Sequence, residues 1–430
     1  MPPVSPTTWK IALPLPLPQL FDYLPVPGAP ARAGARVRVP LGKRELVGVL
    51  IAQGVAGTDA AALKPALALL DQEPLLEGEL LQSLQWLARY LHAPLGEVLA
   101  TALPAALRRG EPVADIREHG WRLTEAGATA LQGMREGRPR TLAQRLRSGP
   151  LADADLHGEA RAALRSLLKR ELVAACTLEP DDGAAAMDSG PSPNPEQAEA
   201  IASVLAEATH FAPSLLEGVT GSGKTEVYLR LIADCLARGR QALVLVPEIG
   251  LTPQMLARFR RRLGVPVHAL HSGLNDGERA RVWELARRGR ARVVVGTRSA
   301  VFTPLPDAGL IVVDEEHDGS YKQLDGIRYH ARDFAIVRAR ALEVPVVLGS
   351  ATPSLESLHN AQAGRYAHLS LRRRAGDAQP PRVRVLDVRK RALHGGLSEE
   401  ALAAIGQVLE QGGQVLVFRN RRGYAPVLLC

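Results

Sequence analysis

Residues 218–225 read GVTGSGKT and match the phosphate-binding pattern G-x-x-x-x-G-K-[ST]. Glycines in such a loop allow the backbone to curl so that its N–H groups point toward phosphate oxygens, and the helix that follows presents its positive end. The apolar residues Leu215 and Leu216 precede the loop and a helical stretch follows it, which is the setting that the pattern requires. Taken alone, the motif could also be a glycine-rich turn before a helix.

A second motif supports the nucleotide interpretation. Residues 310–317 read LIVVDEEH, an apolar strand that ends in carboxylates. Lys224 is expected to reach the β- and γ-phosphates, and Thr225 and Asp314 to hold Mg²⁺. Glu315 is expected to orient the attacking water. We therefore predict a nucleoside triphosphate site whose loop contacts are Gly218, Val219, Thr220, Gly221, Ser222, Gly223, Lys224 and Thr225.

Composition limits the class of protein. Among 430 residues, 53 are basic and 45 acidic, and the resulting net charge of +8 favours a polyanionic partner, although a basic balance alone is a weak signal. Three cysteines make no disulfide framework, which suits a reducing cytoplasm. No apolar stretch approaches the ~18 residues of a membrane span. We expect a cytoplasmic protein with no membrane partner.

The chain separates into regions that differ in composition and in the spacing of apolar residues. Residues 1–105 have short β-like runs and an amphipathic helix near 78–91, residues 110–178 look mostly helical, and 179–194 reads as a linker. From 195 to 365, strands alternate with helices, which predicts an α/β fold with a parallel sheet. Residues 366–430 begin a further such unit, with a helix at 398–411 and a strand at 414–418. The predicted sheet strands are 242–246, 267–270, 293–295, 311–313 and 346–348.

Several segments fall where strands of this sheet should end, and ligands of open α/β sheets bind there. Each alone could be a helix-capping turn. In order, they read GVTGSGKTEVY, LVPEIGLTPQ, HSGL, GTRSA, DEEH, GSATPS and VFRNRRGY. This series resembles that of superfamily 2 helicases and, more narrowly, the PriA family of primosomal replication-restart helicases, over essentially the whole chain.

The resemblance implies an ATP-dependent 3′-to-5′ DNA helicase that recognises stalled or abandoned replication forks and restarts replication by primosome assembly. It implies a RecA-like helicase lobe at 195–365, preceded by a β-rich N-terminal 3′-end DNA-binding domain and a winged-helix domain, and followed by the start of a second RecA-like lobe. The implied cofactors are ATP, Mg²⁺ and Zn²⁺. The implied partners are forked and single-stranded DNA, primosome and helicase-loading proteins, and single-stranded DNA-binding protein.

The resemblance also assigns residues around the nucleotide. Gln197 corresponds to the residue that reads adenine, and otherwise would be a polar residue at a helix start. His317 corresponds to the residue that couples the nucleotide site to the GSATPS segment, where its ring could hydrogen-bond Ser350 or Thr352. The catalytic set is thus Asp314, Glu315 and His317.

Two groups of residues are predicted to contact DNA. Residues 318–334, DGSYKQLDGIRYHARDF, concentrate aromatic and basic side chains in a chain that is only 4% aromatic, which suits base stacking, although Phe334 and Tyr329 could simply pack under the next helix. By resemblance, Phe21, Asp22, Gly42 and Lys64 form a pocket for a 3′ end, in which the carboxylate accepts a hydrogen bond from the terminal hydroxyl. Within residues 318–334 the predicted contacts are Tyr321, Lys322, Arg328 and Tyr329, and the remaining predicted contacts are Thr297 and Arg298.

Other classes of protein share some of these features. A P-loop kinase or a transport ATPase would share the first motif but would lack GTRSA and GSATPS. A non-catalytic DNA-binding scaffold gains weight because, by resemblance, a second lobe supplies an arginine to the γ-phosphate and a zinc insertion follows RRGYAP. Cys430 stands at the place of the first zinc ligand, and one cysteine cannot make a four-ligand site. We expect a chain truncated in the second lobe that binds ATP and DNA with negligible turnover.

Overall fold

A computed structural model describes residues 7–55, 63–153, 156–178, 188–374, 383–389 and 391–418. The chain divides into two compact units, 1–377 and 378–430. The first unit begins with a five-stranded antiparallel sheet of strand order β2-β1-β4-β3-β5. Alternating apolar residues put one face of the sheet in a core that includes Trp9, Ile11 and Val37. Its strands are β1 (Thr7–Ala12), β2 (Phe21–Tyr23), β3 (Arg36–Leu41), β4 (Arg44–Val55) and β5 (Ala68–Leu69).

Three helices follow this sheet: α1 (Gly78–Tyr90), α2 (Leu95–Ala102) and α3 (Ala105–Arg108). The first confirms the helix predicted near 78–91. Gly96 allows α2 to lie against the end of β1, because a Cβ at this position would be 1.7 Å from the carbonyl oxygen of Leu13. The buried guanidinium of Arg36 pairs with Asp71 and donates to the carbonyls of Leu107 and Glu111, which fastens the sheet to the helices.

The segment 110–178 is less helical than predicted. Its three helices, α4 (Glu125–Ala130), α5 (Arg138–Ser148) and α6 (Glu159–Leu168), pack on an antiparallel sheet. The sheet has the strand order β7-β6-β8 and consists of β6 (Glu118–Leu123), β7 (Leu151–Ala152) and β8 (Val173–Leu178). Apolar residues recur at helical spacing in α5 and α6. The residues of β8, which the prediction placed in the same mostly helical segment, instead alternate between the two faces of the sheet.

The following region contains a seven-stranded parallel sheet of order β11-β12-β10-β13-β14-β9-β15, covered by apolar side chains on both faces. All five predicted strands are present. Strand β15 was missed because it lies at an edge and exposes most of its residues. The strands are β9 (Pro213–Gly218), β10 (Gln241–Leu245), β11 (Val267–Leu270), β12 (Val293–Gly296), β13 (Ala308–Val313), β14 (Val346–Ser350) and β15 (Ala367–Leu371).

Helices accompany this sheet, and all but the first connect consecutive strands. They are α7 (Pro195–Ala206), α8 (Lys224–Ala237), α9 (Pro253–Leu263), α10 (Asp276–Arg287), α11 (Ala331–Ala341) and α12 (Leu355–Gln362). Helix α7 begins with a capping box in which the side chains and backbone N–H groups of Asn194 and Gln197 hydrogen-bond reciprocally. No helix in the described residues is long and apolar enough to cross a membrane.

The second unit contains α13 (Glu399–Glu410), which is capped by the hydroxyl of Ser398. The strand predicted at 414–418 is wrong: these residues are irregular and exposed. An apolar run becomes a strand only when another strand satisfies its backbone groups, and none of the residues described in the second unit pairs with it.

Candidate nucleotide site and nucleic-acid surfaces

The phosphate loop lies between the end of β9 and the first residue of α8. Gly221 and Gly223 have φ values of +81° and +85°, a conformation that side-chain-bearing residues rarely adopt. Ser222 is buried and its N–H donates to the carbonyl of Val219 at 2.9 Å. Thr220 and Gly221 are exposed at the tip of the loop. The loop thus has the tight, open curl that a phosphate group needs.

Lys224 lies almost buried beneath this loop. Its Nζ donates to the carbonyl of Gly218 at 3.0 Å and is 3.5 Å from Oε1 of Glu315. The ammonium therefore lies between the loop and the carboxylates at the end of β13. Phosphate oxygens would give this ammonium charged acceptors in place of the neutral carbonyl of Gly218.

Asp314 follows β13 and accepts a hydrogen bond from the hydroxyl of Tyr228 at 2.9 Å. Burial and the nearby charge of Glu315 raise the pKa of the Asp314 carboxyl. Glu315 has φ +44°, in the left-handed region. Gly349 makes room for Tyr228, because a Cβ at position 349 would lie 1.6 Å from the tyrosine hydroxyl.

The donor set suits Mg²⁺ that arrives with a nucleotide. No group of three or more His, Cys, Asp or Glu side chains in the described part of the chain could hold a metal ion by itself. Mg²⁺ usually takes one or two protein oxygens together with phosphates and waters. The carboxylate of Asp314 and the hydroxyl of Thr225, in the first turn of α8, are oxygens of this kind. Cys430, the predicted zinc ligand, lies outside the described residues.

His317 makes both hydrogen bonds that its sequence position suggested. Its Nδ1 is 2.7 Å from Oγ of Ser350, and its Nε2 is 3.4 Å from Oγ1 of Thr352. The N–H of Thr352 also donates to Oγ of Ser350. The imidazole therefore connects the loop after β13 to the turn after β14.

Gln197 lies beside the phosphate loop, but its amide is already hydrogen-bonded. The side chain is buried, its Nε2 donates to the carbonyl of Ser222 at 2.9 Å, and its Oε1 accepts from the N–H of Asn194. Adenine recognition by this residue stays a prediction, since it requires the same amide to exchange partners.

The aromatic loop at 318–334 differs from the prediction. Tyr321 and Tyr329 are 0% and 2% exposed, so the prediction that their rings stack on bases is wrong for this structure. The hydroxyl of Tyr321 donates to the carbonyl of Asp314 at 2.6 Å, and the ring of Tyr329 packs edge-on against Phe302. Burial raises the pKa of Tyr329 to about 12. Both rings are large apolar groups whose burial outweighs any advantage of exposure.

The basic side chains predicted to contact DNA have mixed surroundings. Lys322 and Arg328 are exposed, and Nζ of Lys322 donates to the carbonyl of Arg328 at 2.7 Å. Arg298 donates to the carbonyls of Ser320 and Lys322, so it holds the aromatic loop in place. The neighbouring Thr297 is 9% exposed.

Two of the predicted 3′-end residues, Phe21 and Asp22, lie in β2. Oδ1 of Asp22 accepts hydrogen bonds from Oγ1 of Thr8 at 3.0 Å and Nζ of Lys10 at 3.2 Å, while 36% of the Asp22 side chain remains exposed. Phe21 is partly buried against the core of the sheet. Leu24 lies two residues after Asp22, just past the end of β2. Its N–H donates to the carbonyl of Lys64, which brings that lysine next to β2. Gly42 occupies the turn between β3 and β4 with φ +60°.

Two residues in and beside the nucleotide site, Tyr228 and Glu316, were not predicted from the sequence. Tyr228 lies four residues after Lys224, on the same face of α8, so helical spacing could have indicated it. Glu316 lies inside the DEEH motif with 0% exposure, and no pattern in the sequence separates its role from that of its neighbours.

Two family models match the chain. One, described as the 3′DNA-binding domain (3′BD) of PriA, matches residues 10–104, and the other, described as DEAD/DEAH box helicase, matches residues 194–361. The chain is 43% identical to the replication restart protein PriA of Haemophilus influenzae, over 98% of this chain and 59% of that protein. The chain belongs to the PriA family. It is also 35% identical to the replication restart protein PriA of Chlamydia pneumoniae, over 92% of this chain and 56% of that protein.

The chain therefore spans less than 60% of the length of either relative. Among solved structures, it is similar to RecG bound to a three-way DNA junction, with 23% identity and a TM-score of 0.33, over 45% of this chain and 25% of that one. The fold is α/β, with a RecA-like parallel-sheet lobe that follows an antiparallel N-terminal region.

Proposed function

We propose that this chain carries the fork-recognition and ATP-binding parts of an ATP-dependent 3′-to-5′ DNA helicase that restarts replication at stalled or abandoned forks through primosome assembly. The observation that carries the proposal is the convergence of Lys224, Asp314, Glu315 and His317 around one phosphate loop, in a chain that also contains a matched 3′DNA-binding domain. The same proposal makes 1–105 the 3′-end domain, 110–178 a winged-helix domain, 179–194 a linker, 195–365 the first helicase lobe and 366–430 the start of the second.

The nucleotide site would act through charge placement. The curled loop offers backbone N–H groups to the phosphates, and Lys224 can move its ammonium from Gly218 to the β- and γ-phosphates with little change of position. Glu315, 3.5 Å from that ammonium, lies where a carboxylate can orient a water toward the terminal phosphate. Mg²⁺ held by Thr225 and Asp314 would neutralise charge on the transferring phosphoryl group. His317 would report the state of this site to Ser350 and Thr352.

The 3′ end would be read by charge as well as by hydrogen bonding. Asp22 has acceptor capacity left after its contacts with Thr8 and Lys10, because a carboxylate accepts about four hydrogen bonds. A terminal hydroxyl can donate to it, whereas a continuing strand would place a phosphate there and be repelled. Phe21, Gly42 and Lys64 would complete the pocket.

Further contacts with single-stranded and forked DNA are assigned to Thr297, Arg298, Lys322 and Arg328, which would hold backbone phosphates. The proposed activity has further partners: primosome and helicase-loading proteins, and single-stranded DNA-binding protein. It also includes Zn²⁺ at a site that contains Cys430.

The test compares two forks that differ only in their leading-strand end, one with a 3′-hydroxyl and one with a 3′-phosphate. Fluorescence anisotropy of the chain should show tighter binding to the hydroxyl end by roughly tenfold, the effect of about one charged hydrogen bond. Asp22→Ala should remove this preference and keep the general, salt-dependent binding. Asp325→Ala, which removes an exposed carboxylate from the aromatic loop, controls for net charge and should keep the preference. Equal affinities for both ends in the unaltered chain would refute the 3′-end assignment.

A further inference from the structure

Glu316 has the most heavily hydrogen-bonded carboxylate of the DEEH segment among those described. Its side chain is fully buried, and Oε2 accepts from a guanidinium nitrogen of Arg332 at 3.0 Å and from the hydroxyl of Ser357 at 2.9 Å. The N–H of Ser354 donates to Oε1 at 2.7 Å, and the hydroxyl of Ser354 donates to Oε2 at 3.0 Å. These contacts use nearly all of the acceptor capacity of a carboxylate.

Glu315, the residue before Glu316, has a backbone conformation that needs support from its surroundings. Glu315, with φ +44°, is in a backbone conformation that is unfavourable for a residue with a side chain and that persists only where the surroundings impose it. The backbone holds this turn by two hydrogen bonds, from the N–H of Glu316 to the carbonyl of Gly349 at 3.0 Å and from the N–H of Asp318 to the carbonyl of Glu315 at 2.9 Å. The buried side chain of Glu316 adds its own hydrogen bonds to Ser354, Ser357 and Arg332 next to this turn.

The partners of Glu316 come from two other elements. Ser354 is the last residue of GSATPS and caps α12, and Ser357 lies in the first turn of that helix. Arg332 lies in the first turn of α11, where the aromatic loop ends, and it also donates to the hydroxyl of Ser354 at 2.8 Å. One buried carboxylate therefore joins the water-orienting residue, the turn after β14 and the end of the aromatic loop.

We propose that Glu316 is a positioning residue that holds Glu315 in its left-handed conformation and transmits the position of α11 to it. A shift of the aromatic loop moves Arg332, Arg332 moves the buried carboxylate, and the carboxylate of Glu315 moves with the backbone. Nucleotide binding depends on the phosphate loop, which Glu316 does not touch, so the effect falls on hydrolysis. This inference rests on the proposed ATP hydrolysis.

The test uses the protein as its gene encodes it and the variant Glu316→Gln, which keeps the shape of the side chain and places an amide against Arg332. We expect the Kd for a fluorescent ATP analogue and the KM for ATP to stay within about twofold, while the kcat of DNA-stimulated hydrolysis falls roughly tenfold or more, the usual scale for a misplaced catalytic group. Arg332→Gln should lower kcat similarly, and the double variant should be no slower than either single one, because both changes break one connection. Glu356→Gln removes an exposed carboxylate from the first turn of α12, outside the aromatic loop, and should leave kcat unchanged.

All values of kcat are divided by the number of nucleotide-binding sites found by titration, so that loss of folded protein does not imitate the effect. An unchanged kcat per site in Glu316→Gln would overturn the proposal, even if the variant melts at a lower temperature. If Glu316→Gln does not fold, Ser357→Ala takes its place, since it removes one hydrogen bond from the same carboxylate; its kcat per site should fall at unchanged Kd, and an unchanged value would overturn the proposal equally. An unaltered protein that binds no Mg·ATP, or hydrolyses none with DNA, would refute the proposed function, and this inference with it.

Discussion

At Asp314, stability and function favour opposite states of one carboxyl group. Burial and the charge of Glu315 raise its pKa, so the folded chain holds this proton more tightly than the unfolded chain does. The unfavourable contribution to folding is therefore absent below the ordinary value of 3.8 and develops as the pH rises through the raised pKa. A carboxylate that must bind Mg²⁺ at neutral pH costs stability until the metal arrives.

We predict that Asp314→Asn raises the free energy of unfolding at pH 7 while it abolishes Mg·ATP binding. Asparagine keeps an oxygen that can accept the hydrogen bond of Tyr228 and carries no charge to bury. Urea unfolding across a pH series should show the gap between variant and parent narrowing as the pH falls. Asp325→Asn, at an exposed position, should show no gap at any pH. Equal stability of Asp314→Asn and the parent at pH 7 would contradict this account.

A second residue-scale prediction concerns Lys224. Lys224→Ala removes the buried ammonium beneath the loop and should weaken Mg·ATP binding by about 2–3 kcal/mol, the size of a charged hydrogen-bonded contact. Calorimetry gives the difference directly. Lys322→Ala removes an equal charge from the exposed part of the aromatic loop and should bind Mg·ATP like the parent. If both variants bind equally well, the ammonium beneath the loop does not contact phosphate.

Among elements, the aromatic loop shows that its tyrosines support the fold. Tyr329→Ala should lower the free energy of unfolding by about 3–5 kcal/mol, because it leaves a cavity against Phe302 in the core. Tyr90→Ala removes the same ring from a position that is 65% exposed, where it stacks on Trp86, and should lower stability by no more than about 1.5 kcal/mol. Urea unfolding of the two variants separates these outcomes. A Tyr329→Ala protein as stable as the parent would mean that this ring is not part of the core.

The nucleotide site and the aromatic loop differ in how well the sequence predicts them. The placement of Lys224, Thr225 and Asp314 near one loop could be predicted because phosphate chemistry restricts residue types at fixed spacing. The central strands could be predicted because strands buried on both faces are continuous apolar runs. Whether a tyrosine faces bases or a core depends on packing between distant segments, which no local pattern encodes. The partners of Gln197 and Glu316 depend in the same way on contacts between segments far apart in the chain.

At the scale of the whole first unit, the N-terminal region and the parallel-sheet region share one apolar core. Leu84 and Leu87 of α1 belong to the same buried cluster as Phe334 and Ala335 of α11. Beside it, the guanidinium of Arg338, 0% exposed, pairs with Glu79 and donates to the carbonyls of residues 301 and 303. We infer that these two regions unfold as one cooperative body.

Arg338→Ala is therefore predicted to destabilise the chain by about 3–5 kcal/mol, because it leaves a carboxylate and two carbonyls buried without their partner. It should also expose the segment between α1 and β6 to limited proteolysis. Arg340→Ala, at an exposed position on the same helix, should do neither. If the Arg338→Ala chain resists protease as well as the parent does, the two regions are held together without this ion pair.

The contact between Gly349 and Tyr228 has a consequence for how this sequence can change over generations. A methyl group at 349 would occupy the space of the tyrosine hydroxyl, 1.6 Å away, so the two codons are not free to drift independently. Randomising position 349 in the parental gene and selecting for function should return glycine alone. The same library with Leu or Ala at position 228 should also return alanine and serine, because the tyrosine hydroxyl no longer fills that space. Lineages that keep the tyrosine inherit the glycine with it.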